Sequence, residues 1–287
     1  MKSIYLLTLK SLMRGLKAYI FLAAMFLAEG IFLTYINFNN QYSAIEYSLE
    51  FIEIALMLTL PLITAELFTA DRENGFEKTL FAFGIPYTSL LIGKFLAALT
   101  VFAIPYLLLL TVPVIFNIFG IVNFASSFVS LFAFLLLGIS FISLTVFISL
   151  IAKKRLYSYL ISYVTIVLIY FFGIFAEIVP VTRNFSLFFL TFVLIALALV
   201  IYVFTKNSII FGGFFCIAEA LLILFYFVTP KLFAGSVSGI FDLLSPCSSL
   251  NAVIYGPFDI TAIVHLLLFS AVFMLLSFMQ LKRRKYE

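Results

Sequence analysis

"FLAALTVFAIPYLLLLTVPVIFNI", residues 95–118, holds no charged side chain from end to end. As a helix rising 1.5 Å per residue it reaches roughly 36 Å, enough to cross a hydrocarbon core of about 30 Å. It does not alternate with period two as a barrel strand would, and in lipid only a helix or a closed barrel satisfies every backbone polar group. Pro105 and Pro113 each remove a backbone hydrogen bond, which membrane helices tolerate.

The same chemistry runs through the rest of the chain. Of its 287 residues 65% are hydrophobic and only 10% charged, with 38 Phe. Soluble globular chains average about 45–50% apolar and about 25% charged residues, so the expected fold is all-α, a polytopic membrane helix bundle formed as a single domain over 1–287. Eight spans are expected, at 18–37, 51–70, 95–118, 126–151, 157–178, 186–205, 208–228 and 260–281. The tight turn at Lys206 and Asn207 makes 186–228 a hairpin that a six-span core could carry as an addition.

Lys and Arg give the orientation. Lys2, Lys10, Arg14, Lys17, Arg72, Lys78, Lys94, Lys153, Lys154, Arg155, Lys206, Lys282, Arg283, Arg284 and Lys285 fall on one side of the expected spans, and only Arg183 and Lys231 on the other. The positive-inside rule then predicts both termini in the cytoplasm of a multi-pass protein of the cell membrane. Residues 1–17 predict an interfacial helix, with Leu9, Leu12, Met13 and Leu16 on one face and Lys10, Arg14 and Lys17 on the other. The start does not read as a cleavable signal, because its apolar run is long and Glu29 interrupts the place of a cleavage site. Cys216 and Cys247 stand too far apart along the expected bundle to pair, and neither has a metal-ligand neighbour. Membrane lipid is an expected partner; nucleic acid is not.

One charged island breaks the oil. "ADRENGFEKTLFAFGIP", residues 70–86, lies between the second and third spans. Gly75 weakens continuation of the span, and Gly84 with Pro86 ends the next apolar pattern, so the cytoplasmic segment 71–88 is expected to hold a helix of about two turns. Its pattern places Phe76, Thr79, Leu80 and Phe83 on the bundle and turns Asn74, Glu77, Lys78 and Phe81 to the cytosol, where Phe81 suits a knob entering a partner's pocket.

Leu67, Phe68, Asp71, Arg72, Gly75, Leu80 and Pro86, with Gly93, Lys94, Phe95, Leu96 and Ala97 after them, form a motif. Near the end Phe241, Asp242, Leu244, Ser245, Pro246, Gly256, Phe258 and Asp259 precede a last span closing in Lys282, Arg283 and Arg284. In these two motifs, and in span order over the whole chain, the sequence resembles the permease subunits of ABC-2 type exporters, in particular the gliding-motility and nitrous-oxide-reductase-maturation group. It departs from them in carrying Phe76 where that group has Thr, and Gly84-Ile85 before Pro86. The resemblance implies a translocation path formed with a second permease copy or a related permease as a dimer. It also implies a separate ATPase subunit docked on the segment around Arg72, Gly75, Glu77, Lys78 and Phe81. ATP and Mg would be bound through that ATPase; this chain is expected to carry no cofactor, metal or catalytic residue of its own, and it contains no G-x-x-x-x-G-K-[ST] loop.

Ionisable residues within spans are candidate path or pairing residues, since their insertion costs roughly 2.5–3.5 kcal/mol each. These are Glu29, Glu66, Glu219 and His265. Glu66 is expected to contact Arg72 or a neighbouring helix near the gate, and Glu29 and His265, both in the outer half, to line an exit cavity or pair with each other. Glu53 and Glu177, near the outer boundary, are expected in solvent. Over the outer segment 229–259, Phe233, Val237, Ile240, Phe241 and Leu244 predict a short amphipathic helix ended by Pro246. Two other classes stay open. A secondary transporter would show inverted repeats and broken helices with polar midplane groups, of which the sequence displays neither a repeat nor more than one mid-membrane acid. An intramembrane enzyme would need a nucleophile constellation, for which His265 and a Ser are thin support.

Overall fold

The computed structural model describes residues 2–256 and 259–284, with the side chains of Lys78, Phe81 and residues 200, 203–205, 209–210 and 231–232 outside the described set. Among the described residues the chain is helical with no strand. Seven helices are long and apolar enough to cross a membrane: Leu16–Phe38, Glu46–Glu73, Tyr87–Phe119, Phe124–Ile151, Arg155–Ile178, Phe211–Val228 and Ile260–Arg283. The remaining expected span is the helix Arg183–Thr205, of which the shorter part Arg183–Leu199 is apolar and fully described. The protein is an all-α, multi-pass membrane protein.

The chain forms two compact units, Met1–Ile169 with Pro246–Glu287, and Tyr170–Ser245. In the first, α1 (Lys2–Arg14) breaks at the extended Gly15 and α2 (Leu16–Phe32) runs on through a π-helical turn, Leu33–Phe38. The second span is interrupted: α3 (Glu46–Thr59), a single turn α4 (Pro61–Thr64) and α5 (Thr69–Glu73) are separated by the non-helical residues 65–68. The short α6 (Phe76–Ala82) lies between Gly75 and Gly84, both with positive φ (71° and 67°), the backbone region that glycine enters without steric cost. Next comes α7 (Tyr87–Phe119), which continues unbroken through Pro105 and Pro113. Its 33 residues reach roughly 50 Å, longer than a hydrocarbon core of about 30 Å.

The hub is α8 (Phe124–Ile151), packed by α15 (Ile260–Arg283), α7, α14 (Pro246–Tyr255) and α3. At Gly138 an added Cβ would stand 2.3 Å from the Phe102 ring, so this glycine is what lets α7 close on α8. The buried hydroxyls of α8 tie the bundle together: Ser140 donates to its own Leu136 carbonyl (2.9 Å) and also approaches the Leu266 carbonyl of α15 (3.0 Å). Interhelical contacts of this kind replace the hydrophobic drive that lipid cannot supply.

Two expectations change here. The face of α1 set against α7 is centred on Ile4, Tyr5 and Thr8, with Ile4 against Gly93 and the Tyr5 hydroxyl 3.1 Å from Thr100, while Leu16 is exposed. Lys17 starts the next helix rather than the polar face of α1, because the chain turns at Gly15. Pro246 also does not simply end a helix. It opens α14, whose Cys247, Leu250 and Val253 are buried, since a proline at the first helical position loses no intrahelical bond.

In the second unit α9 (Arg155–Ile178), whose first part belongs to unit 1, leads to α10 (Arg183–Thr205) and α11 (Ser208–Val228), a hairpin that turns on Lys206 in a left-handed conformation. A single turn, α12 (Pro230–Phe233), precedes α13 (Ser236–Leu244). On the expected apolar stripe Phe233 and Val237 are buried and Phe241 packs its ring on Phe172, Phe175 and Phe189; Ile240 and Leu244 remain exposed.

Candidate functional site

The non-helical stretch 65–68 frees backbone groups in an apolar surrounding, and other helices take them up. The Phe68 and Thr69 N–H groups donate to Ser149 Oγ of α8 at 3.0 and 3.3 Å. The Ser158 hydroxyl of α9 donates to the Ala65 carbonyl, that of Tyr159 to the Leu62 carbonyl (3.3 Å), and Lys94 of α7 donates to the Leu67 carbonyl. The break is thus a built, local feature of a stretch that still runs from Glu46 to Glu73 as one candidate span. The local interruption follows Pro61, a proline inside the expected second span.

Around that break the charged residues form a chain of ion pairs. Lys17 bonds Glu66 at 2.5 Å and the Tyr159 hydroxyl at 2.9 Å. Of the contacts expected for Glu66, the neighbouring helix is found and Arg72 is not: it pairs with the start of the first span. Lys94, buried, pairs with Asp71 and lies over the Phe68 ring at 4.3 Å. Arg72 donates to the Leu150 (2.9 Å) and Ala152 carbonyls, two of the orphan acceptors at the end of α8, and bonds Glu77 at 3.2 Å. Glu77 also meets Arg284, just past α15, at 3.4 Å. The backbone N–H of Arg155 donates to Glu73 at 2.7 Å and its guanidinium to Asn74 at 3.1 Å. Beside this network a cavity of about 250 Å³ is bounded by Ile4 and Thr8 of α1, Phe76 and Leu80 of α6, Glu66 and Lys94.

Both described chain ends accordingly lie at one end of the first unit, and α6 is strapped there by Arg72 and Arg284. The expected face of α6 holds in part, since Phe76 and Leu80 turn to the cavity beside α1, and fails in part. Glu77 is the residue held inward, its side chain 12% exposed, while Thr79 is exposed and Phe83 is 79% exposed on the supposed bundle face. The reason is that a carboxylate caught between two guanidiniums outweighs a two-turn apolar pattern. The side chains of Lys78 and Phe81 lie outside the described residues; Gly75 is exposed at the joint between α5 and α6.

The other intramembrane candidates are scattered. Glu29 is buried and neither carboxylate oxygen has a hydrogen-bond partner among the described residues, so it does not pair with His265. The His265 Nδ1 lies 2.6 Å from the Ser249 hydroxyl, joining α15 to α14. Glu219 accepts a hydrogen bond from Thr191 at 2.9 Å across the α10–α11 hairpin. Glu53 is buried rather than solvated, and Glu177 is exposed. The sequence reading also missed Lys17 and Arg284 as partners across the bundle. Their only signal was that each is a cation flanking a span whose acids need countercharges. Among the described residues no group of three or more His, Cys, Asp or Glu could hold a metal ion. In comparisons with known proteins, no family model and no curated protein matches this chain.

Proposed function

We propose that this chain is the membrane-spanning subunit of an ATP-driven exporter of the ABC-2 type, with its Lys- and Arg-rich end in the cytoplasm. In this reading a separate ATPase docks on α6 and the chain works as a dimer with a second permease copy or a related one. The single observation that carries the reading is the strap Arg72–Glu77–Arg284, which fixes an otherwise unsupported two-turn helix at the end of the bundle and ties it to the second span and to α15. A helix so tied can pass a push from a docked partner into two spans at once. The docking surface is then drawn from Lys78, Phe81 and the exposed Phe83, with Glu77 and Arg72 as its mount; Gly75 serves as the joint.

The interrupted second span favours a second reading, a secondary transporter, since such proteins place substrate and ion sites at broken helices. Against it, the backbone groups freed by the break are bonded by Ser149, Ser158, Tyr159 and Lys94 and are not left to coordinate an ion.

The two readings part in one experiment. The full-length protein is purified in mild detergent, alone and with its co-purifying ATPase, and each preparation is reconstituted into liposomes. Transport that needs both ATP and the ATPase supports the exporter; gradient-driven transport by the chain alone overturns it. Phe81→Ala should lower ATPase recovery, because losing an anchoring aromatic costs about 2 kcal/mol, roughly thirtyfold in affinity.

A further inference from the structure

At the end of the first unit away from the ion pairs, residues 43–47, 121–127 and the last turn of α14 bound a cavity of about 360 Å³. Glu46, the first residue of α3, lines it and is only 7% exposed. Its Oε1 accepts a hydrogen bond from Ser127 at 3.3 Å, whereas Oε2 is buried with no hydrogen-bond partner among the described residues. A carboxylate oxygen kept from water without a partner is costly, and the cost is offset by an occupant that brings an N–H donor and positive charge. This part of the chain supplies no Lys or Arg side chain: none occurs between Lys17 and Arg72, between Lys94 and Lys153, or between Lys231 and Lys282.

The walls specify the kind of cation. Tyr47 and Tyr255 line the same cavity as Glu46, their rings 6.4 Å apart, and aromatic faces attract an ammonium group. The Tyr255 hydroxyl is already given to Glu50. Burial, together with that neighbouring carboxylate, pushes this hydroxyl well above the usual phenol range, so it stays protonated and leaves Glu46 to the occupant. Among the described residues no group of three His, Cys, Asp or Glu stands here to hold a metal ion.

We propose that the cavity at Glu46, Tyr47 and Tyr255 binds a primary ammonium group, carried by a free amine or by a phospholipid head group. The site stands whether or not the exporter reading holds. The test is calorimetric titration of the delipidated full-length protein with ethanolamine and with its uncharged counterpart ethylene glycol. Ethanolamine should bind and the glycol should not, and Glu46→Gln should weaken ethanolamine roughly tenfold or more, which corresponds to about 1.4 kcal/mol. Equal behaviour of the two ligands, or unchanged binding by Glu46→Gln, overturns the proposal. If Glu46→Gln does not fold, the comparison of the two ligands on the wild type decides alone. Repeating the titration in nanodiscs separates the sources. Loss of ethanolamine binding in phosphatidylethanolamine but not in phosphatidylglycerol supports a lipid head group, and equal binding in both supports a free amine.

Discussion

Replacing Arg72 by Ala removes three contacts at once. The guanidinium donates to the carbonyls of Leu150 and Ala152, and it neutralises Glu77 from one side. A hydrogen bond from a charged donor contributes about 1.5–3 kcal/mol, and the two carbonyls sit at a helix end where the helix itself offers no partner. Solvent reaches the Arg72 side chain (23% exposed), so the ion-pair share is discounted and the loss is placed at about 2–4 kcal/mol. For a chain of this size that lowers the midpoint of thermal unfolding by roughly 3–7 °C. Arg72→Lys keeps the charge but not the fork, and should fall between wild type and Arg72→Ala. The assay is size-exclusion-detected thermal unfolding of the purified protein in one detergent. A midpoint for Arg72→Ala within about 1 °C of wild type, a shift too small for even one such bond, would refute the strap as a stabilising element.

Gly138→Val should force a side chain into the Phe102 ring and cost about 1–3 kcal/mol, read as the same kind of midpoint shift, with Phe102→Leu partly restoring it. Cysteine labelling from outside intact cells should modify a Cys placed at Ser238 and spare one placed at Ser3; the reverse pattern would invert the proposed orientation. Asp259 caps α15 and accepts from the Thr261 hydroxyl and N–H, bonds that hold its carboxyl below the ordinary aspartate range. Its contribution to the folded state is therefore full above the ordinary aspartate value and lost only as pH falls through the lower folded one, a titration that carbon NMR of labelled Asp should follow and that Thr261→Val should move upward.

The spans were legible because length and the absence of charge decide them, and 95–118 needed no partner to be read. What the sequence hid was set by residues far apart in it. Glu66 met Lys17 and not Arg72, and Glu77 was drawn inward by Arg284, 207 positions later, against an apolar pattern that seven residues are too few to enforce. Pro246 was legible as a boundary but not as a beginning, since proline suits both. The hub role of α8 had a signal in its Ser and Thr residues, which a mean hydropathy conceals because Ser140 and Thr145 return their hydroxyls to carbonyls and Ser149 receives backbone N–H groups.

The break at 65–68 has a consequence for how the chain is made. Two of its partners, Ser149 and Ser158, are synthesised more than 80 residues after the stretch they bond. Until α8 and α9 have entered the bilayer, the turn at 65–68 would present bare carbonyl and N–H groups to lipid, at several kcal/mol for each. The nascent stretch is therefore expected to keep regular helical bonds until its neighbours arrive. A chain arrested before Ser149 should carry residues 65–68 as regular helix, which puts this turn among the last features of the molecule to form.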